Sequence, residues 1–294
     1  MLFVSKSGTM KRKLNTTKAT PFLKWVGGKT QLLPELRKFY PKSYGTYFEP
    51  FVGGGAVFFD LKPKKSVLND INKTLIRCYE DVKKRPEQVI KTLHDLEIKY
   101  KNENDDGRKD LYYEIRAKFN QLPSDSFEKG ILLMFLNKTC FNGMYRENSE
   151  GGFNVPFGSY KNPTLLDESN VRAASQLLRG ASLLSVDFNQ AVAKAKKGDF
   201  IYFDPPYYPL NHTSKFTHYN GNGFHEHEQK KLRDLFADLN KKGCKVMLSN
   251  SFTPFIKNLY KDFYKHEVWA SRAINCKATG RGKIREYVIV NYKI

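Results

Sequence analysis

Cysteine is scarce in this 294-residue chain: Cys78, Cys140, Cys244 and Cys276 stand far apart, with no Cys-x-x-Cys pair among them. That spacing argues against a disulfide framework and against a cysteine-based zinc site. Apolar runs are short too. The longest clear one is Ile131–Leu136, far from the length a membrane helix needs. Met1–Val4 is too short for the core of a secretory signal. A cytoplasmic protein with no membrane partner is expected. Two nucleotide signatures are missing, the Gly-x-Gly-x-x-Gly of dinucleotide enzymes and the Gly-Lys-Ser/Thr of phosphate loops, which steers the expected ligand away from a pyrophosphate. The zinc spacing His-Glu-x-x-His is also absent. His212 and His218 stand in no such pattern, and His225-Glu226-His227-Glu228 opens a predicted helix, where acids favour the dipole. No metal is expected.

Acid is the remaining shortage. Thirty Asp and Glu face fifty Lys and Arg, giving a net charge of +20. The first 20 residues hold Lys6, Lys11, Arg12, Lys13 and Lys18 and no acid, so most of the excess belongs to the folded body. With 22 Phe and 17 Tyr available to stack on bases, a nucleic acid fits this charge better than a merely basic surface does.

Residues 1–20 read as a basic, flexible tail. Short strands are predicted at Thr46–Phe48, Ser66–Asn69, Leu183–Val186, Phe200–Phe203, Lys245–Leu248, Glu267–Ala270 and Tyr287–Val290. A charged helical pattern runs from Lys73 to about Phe119 with a polar break at Asn102–Gly107, and another helix spans Phe127 to about Lys138. Helices Glu226–Asn240 and Pro254–Tyr260 alternate with the later strands. Such alternation predicts an α/β fold, a doubly wound parallel sheet, with a mainly helical insertion in its middle.

The densest chemistry is Asp204-Pro205-Pro206-Tyr207, directly after the apolar strand Phe200–Phe203. Open α/β sheets bind ligands at that end of their strands. An ionised Asp only accepts hydrogen bonds, and two prolines remove two backbone donors, leaving the Pro205 carbonyl without a local partner. A carboxylate, a carbonyl and an aromatic ring would then converge on the exocyclic amine of a planar base. An ordinary strand-ending turn is the other reading. Gly53-Gly54-Gly55, after Phe51, lets backbone pass close to a ligand. Asp70 closes the next strand, where it suits either a ribose diol or a helix N-cap. Trp25-Val26-Gly27-Gly28-Lys29 reads either as a core tryptophan beside a loop or as a lysine reaching a carboxylate.

Taken together, Trp25-x-Gly-Gly-Lys29, Phe48-Glu-Pro-Phe-Val-Gly-Gly-Gly55, Asn69-Asp70-Ile71-Asn72 and Asp204-Pro-Pro-Tyr207 occur in the order found in Dam-type DNA adenine-N6 methyltransferases, which the chain resembles over residues 21–294. The resemblance implies a Rossmann-like methyltransferase sheet. It implies S-adenosylmethionine as methyl donor, met by Trp25, Lys29, Phe51, Gly53, Gly55, Asp70, Asp187, Phe188 and Asp204. Catalysis falls to Asp204, Pro205, Pro206 and Tyr207. Residues 21–73 and 165–294 would form the catalytic domain, and 74–164 an inserted DNA-recognition domain with a hairpin near 141–161. In that hairpin Arg146 suits a guanine, Phe141 and Met144 are candidate apolar wedges for an extruded base, and Lys138, Asn142 and Lys161 suit phosphates. Asn148 and Pro156 complete the implied DNA-contact set, while Ser159 stands where many members carry a basic residue. Members of this pattern modify 5′-GATC in duplex DNA. A monomer is expected. The rival readings are an RNA-base or protein-glutamine methyltransferase, which usually shows Asn in place of Asp204, and a DNA-binding module without catalysis.

Overall fold

The computed structural model describes residues 18–210, 224–271 and 283–294. Most of the basic tail, together with His212, His218 and Cys276, lies outside those residues. In chain order the main elements are α1 (Leu33–Leu36), β1 (Tyr47–Glu49), α2 (Ala56–Leu61), β2 (Ser66–Asn69), α3 (Lys73–Lys84), α4 (Pro86–Asn102), α5 (Asp105–Gln121) and α6 (Phe127–Thr139). Then follow α7 (Glu168–Leu178), β3 (Ala181–Leu184), α8 (Phe188–Ala191), β4 (Phe200–Phe203), α9 (Glu226–Lys241), β5 (Lys245–Ser251), α10 (Pro254–Leu259), β6 (Tyr264–Ser271) and β7 (Lys283–Val290).

The seven strands form one sheet in the order β3-β2-β1-β4-β5-β7-β6. The chain reverses direction across the sheet between β1 and β4, which is where doubly wound sheets open a crevice. All four residues of β4 are buried, as expected of a strand covered on both faces. One apolar cluster, containing Tyr47, Leu68, Phe200 and Val288, lies on the α2, α3 and α7 side. The other, containing Ile201, Phe203, Leu232, Phe236 and Ile256, lies under α9 and α10. The first cluster continues without interruption through Leu75, Tyr100, Tyr112, Leu133 and Phe153, so the helices α3–α6 share the core of the sheet.

The sheet is not wholly parallel. β7 runs antiparallel to both β5 and β6. Only eleven residues, 272–282, join β6 to β7, fewer than the dozen or more that a parallel crossover needs. The strand expected at Leu183–Val186 lies at Ala181–Leu184 instead. The Asn69 side chain explains the shift: it accepts from Val186 N at 2.9 Å and donates to Val186 O at 3.1 Å, pulling that residue off the ladder. The helical run expected from Lys73 is also cut once more than anticipated, at Arg85, whose non-helical backbone (φ −138°, ψ 46°) precedes Pro86. Proline disfavours a helical residue before it and suits the first helical position itself. Near the second break the helix resumes early, at Asp105, because Asn104 caps it by accepting from Gly107 N at 2.8 Å. α7 is an element the sequence pattern did not reveal. Asp167 caps it, accepting from Asn170 N at 2.9 Å.

Candidate active site

Asp204 sits just past β4, where its chain neighbours Phe203 and Pro205 are both buried. Its Oδ1 lies 2.8 Å from Lys29 Nζ, with only 9 % of the lysine side chain and 18 % of the aspartate side chain exposed. That approach is ionic and not aligned as a hydrogen bond, since Asp204 Oδ1 has no directed donor while Lys29 donates to Gly27 O at 2.7 Å. Burial pushes the Asp204 carboxyl up to about 6, against the pull of the Lys29 charge. The lysine expected in the cofactor set is therefore the charge partner of the strand-end acid. Glu49, at the end of β1, is also buried and accepts from Tyr47 Oη at 2.8 Å. Desolvation pushes its carboxyl up to about 8, and the neighbouring Asp204 charge adds to the shift. Around neutral pH Glu49 holds its proton while Asp204 is mostly ionised.

The Pro-Pro loop is braced from outside the motif. Gln229, fully buried on α9, donates to Pro206 O at 3.0 Å and accepts from Asn250 Nδ2 at 3.0 Å. Asn250 Oδ1 in turn accepts from Tyr208 N at 3.2 Å. These bonds lock the carbonyl of Pro206, whereas among the described residues none reaches the carbonyl of Pro205. Tyr207 donates its hydroxyl to Glu286 Oε2 on β7 at 2.7 Å, and one side of its ring lies 4.7 Å from Lys29 Nζ. Gln229, Asn250 and Glu286 were not singled out in the sequence. Each lies too far along the chain from residue 206 for spacing to reveal the pairing.

The glycine turn after β1 is tight for reasons within the protein. Gly53 has φ +46°, and a Cβ there would meet the Trp25 indole at 2.7 Å; one on Gly55, at φ +70°, would meet Tyr79 Oη at 2.6 Å. Trp25 is therefore a wall laid over the turn. Asp70 braces the same turn, its Oδ2 accepting from Gly53 N at 3.1 Å and its Oδ1 from Asn72 N at 3.0 Å. The helix cap considered for Asp70 belongs to Asn72, which accepts from Leu75 N at 2.9 Å. Burial raises the Asp70 carboxyl despite its two backbone donors. Asp187 caps α8, and the buried ring of Phe188 packs against Phe51 with centroids 5.5 Å apart. Phe51, Asp70, Asp187 and Asp204 follow the carboxyl ends of β1, β2, β3 and β4, so the sheet gathers the expected cofactor residues along one edge.

The hairpin holds its expected DNA contacts unevenly. Phe141 is 49 % exposed, a large apolar side chain in water, and Asn142, Arg146, Pro156 and Lys161 are exposed as well. Met144 instead packs against the core, which leaves Phe141 as the exposed one of the two candidate wedges. Asn148 spends its Oδ1 on the turn, accepting from Glu150 N at 3.1 Å and Gly152 N at 2.7 Å, so its acceptor serves the hairpin. The expected hairpin forms no regular strands, being closed by the isolated antiparallel bridges Cys140–Phe157 and Glu147–Phe153, and Arg146 is held across it, donating from Nε to Asn154 Oδ1 at 2.7 Å. Lys138 is half-buried, and desolvation beside Lys24 lowers its pKa. His225 is the N-cap of α9, where its backbone N donates to Glu228 Oε2 at 2.9 Å in a capping box. Among the described residues no helix is long and apolar enough to cross a membrane.

Comparison with known proteins agrees with this arrangement. Residues 25–274 match the family of D12 class N6 adenine-specific DNA methyltransferases. The chain is 44% identical to a type II methyltransferase of Lactococcus lactis subsp. cremoris, M1.LlaDCHI, over 96% of this chain and 98% of that protein. It is 42% identical to a second type II methyltransferase, M.MjaIII of Methanocaldococcus jannaschii, over 92% and 99% of the two chains. A DNA adenine methylase of Vibrio cholerae is 36% identical over 92% and 95%. A match over most of the chain, on a sheet that collects the four quoted motifs at one edge, settles the family: the protein belongs to the D12 class of N6 adenine-specific DNA methyltransferases, enzymes that act on DNA with S-adenosylmethionine as methyl donor.

Proposed function

We propose that this enzyme methylates adenine N6 within 5′-GATC in duplex DNA, after turning the adenine out of the helix. The observation that carries the reading is a pair of acceptors past β4: the Asp204 carboxylate, held through Oδ1 by the Lys29 ammonium at 2.8 Å with no hydrogen bond to Oδ2 among the described residues, and the Pro205 carbonyl, which has no partner among them either. Two such acceptors suit the two N–H groups of an exocyclic amine. A base inside a duplex cannot reach such a site, so the adenine must leave the stack.

The strand-end residues suit S-adenosylmethionine. Trp25, Phe51 and Phe188 offer aromatic walls, and Asp70 keeps acceptor capacity on both oxygens after its backbone bonds. Gly53 and Gly55 form the turn beneath, and Asp187 stands at the neighbouring strand end. When bound, the cofactor supplies an electrophilic methyl group. The protein's own part is positioning. Adenine N6 is a weak nucleophile because its lone pair is delocalised into the ring. Hydrogen bonds to Asp204 and Pro205 O draw that nitrogen toward tetrahedral geometry and free the lone pair. Lys29 keeps Asp204 ionised, and Tyr207, tethered to Glu286, presents the ring face away from Lys29 to the base. Gln229 fixes the loop through Pro206. Preorganised acceptors of this kind cost no reorganisation during reaction.

Residues 74–164 serve as the DNA-recognition domain in this reading. Arg146 grips guanine, Phe141 fills the gap left by the adenine, and Asn142, Pro156, Lys138 and Lys161 position the duplex. The test is methylation of a random duplex library, with RNA and protein extract in parallel, followed by mapping of the modified adenines. Label confined to RNA or protein would overturn the reading, and a different mapped sequence would overturn GATC.

A further inference from the structure

The cofactor wall and the target-reading hairpin are fastened to each other twice. The side chain of Asn137 is 1 % exposed and spends its amide on Lys24, 113 residues away, and on Gly143. It accepts from Lys24 N at 2.8 Å, donates to Lys24 O at 2.8 Å, and donates to Gly143 O at 3.0 Å. Gly143 belongs to the hairpin and has φ +61°. A Cβ there would meet the Lys24 side chain at 2.6 Å, so the two segments touch with no room for a larger residue. The Trp25 indole stacks on the Tyr145 ring, with centroids 5.3 Å apart and planes inclined by 25°. Tyr145 immediately precedes Arg146, and its hydroxyl bonds Glu147.

Trp25 also lies against Gly53, whose N–H is held by Asp70 and whose carbonyl accepts from Tyr79 Oη at 3.0 Å. A continuous path of packed groups thus runs from Asp70 through Gly53 and Trp25 to Tyr145 and Arg146. Neither segment can shift alone without stranding the buried Asn137 amide or opening the ring stack. We propose that Asn137 and the Trp25–Tyr145 stack are positioning elements that couple occupancy of the cofactor pocket to recognition of the target sequence. The inference rests on the reading of Trp25 and Arg146 given above. A ligand seated against Trp25 orders the hairpin, and by reciprocity the cognate duplex tightens cofactor binding by the same factor.

The test measures that factor with the full chain. Binding of a duplex carrying the mapped site, and of one lacking it, is followed by fluorescence anisotropy with and without S-adenosylhomocysteine. Calorimetry gives S-adenosylhomocysteine affinity in the absence of DNA. In the wild type the cofactor product should tighten cognate binding by at least about fivefold, the lower end of ordinary coupling. Tyr145→Leu and Asn137→Ala should bring the factor close to one, while Tyr145→Phe, which keeps the stack, should retain it. Should Asn137→Ala fail to fold, the half-buried Tyr145 pair of variants decides alone. A wild-type factor preserved in Tyr145→Leu, or no coupling in the wild type, overturns the proposal and leaves the catalytic reading standing. Failure of the wild type to bind S-adenosylhomocysteine at all overturns the cofactor pocket itself.

Discussion

Lys29 Nζ lies 2.8 Å from Asp204 Oδ1 and 4.7 Å from the centre of the Tyr207 ring. One buried ammonium therefore touches both ends of the Asp-Pro-Pro-Tyr loop. It opposes the desolvation that would otherwise keep Asp204 protonated, and it occupies one side of the ring that flanks the base.

A pH profile follows from that contact. Asp204 is an acceptor-only, charged partner for the amine when ionised and a weaker one that also carries a donor when protonated, and burial raises its carboxyl to about 6. Methyl transfer under single-turnover conditions should rise with pH through that value and level off above it. Lys29→Met removes the opposing charge, so its midpoint should move upward by about 1–3 units. A profile that stays put in Lys29→Met would show that the cation does not tune this acid.

Asp204→Ala should lower kcat by about 10²–10³ or more, the usual cost of removing one preorganised polar group from a transition state. Affinity for duplex DNA should stay close to wild type, because the residue touches no phosphate in this reading. Asp204→Asn keeps one acceptor and adds a donor, so it should be impaired too. Rapid-quench turnover beside anisotropy binding separates the two effects.

Gln229→Leu probes the brace behind the loop. The substitution releases Pro206 O and strands Asn250 Nδ2 in the interior, at a cost of about 1–3 kcal/mol for that unsatisfied group. Urea denaturation should show that loss. Turnover should fall with little change in DNA affinity, since the loop carrying Asp204 and Tyr207 loses its anchor.

How much of this could be read from sequence depended on how local the determinant was. Asp204 and Asp70 were legible because each closes an apolar run, and strand ends are where such sheets bind ligands. The hairpin was legible from its change of composition. The Asn69 clamp that relocates the end of β3 spans 117 residues, the Asn137 clasp 113, and the Tyr207–Glu286 bond 79. Side-chain pairings at those separations leave no periodicity, so only the folded chain exhibits them. Asn137 was further disguised by its neighbours, lying in a helix whose residues from Gly130 to Leu136 are all buried. The extra helix break at Arg85 was a different case, because Pro86 was in plain view and the charged helical pattern on either side masked it.

Glu49→Gln tests the buried acid at the end of β1. Its carboxyl titrates near 8 in the fold, against 4.5 for the ordinary value. Between those values the unfolded chain is ionised while the folded one keeps its proton, so this group makes stability fall as pH rises through the window. A neutral amide removes that term and can still accept from Tyr47 Oη. The gain in melting temperature of Glu49→Gln over wild type should therefore be larger at pH 8 than at pH 5. An equal difference at both pH values would mean that Glu49 is not protonated in the folded enzyme.

Arg146 and Lys161 separate reading from positioning. A guanidinium gripping O6 and N7 of guanine is worth about 1–3 kcal/mol at that base. Arg146→Ala should therefore relax discrimination at one position of the target while sparing the others. Its bond to Asn154 holds the guanidinium across the hairpin, so Asn154→Ala should weaken the same discrimination without removing it. Lys161 is exposed at the end of the hairpin, and its loss should weaken binding to all duplexes alike and reduce the salt slope by about one. Methylation rates on duplexes substituted at each target position, measured across a salt series, distinguish these behaviours. Equal loss of rate on every duplex in Arg146→Ala would make that residue a phosphate contact and return the search for the guanine reader to the rest of the hairpin.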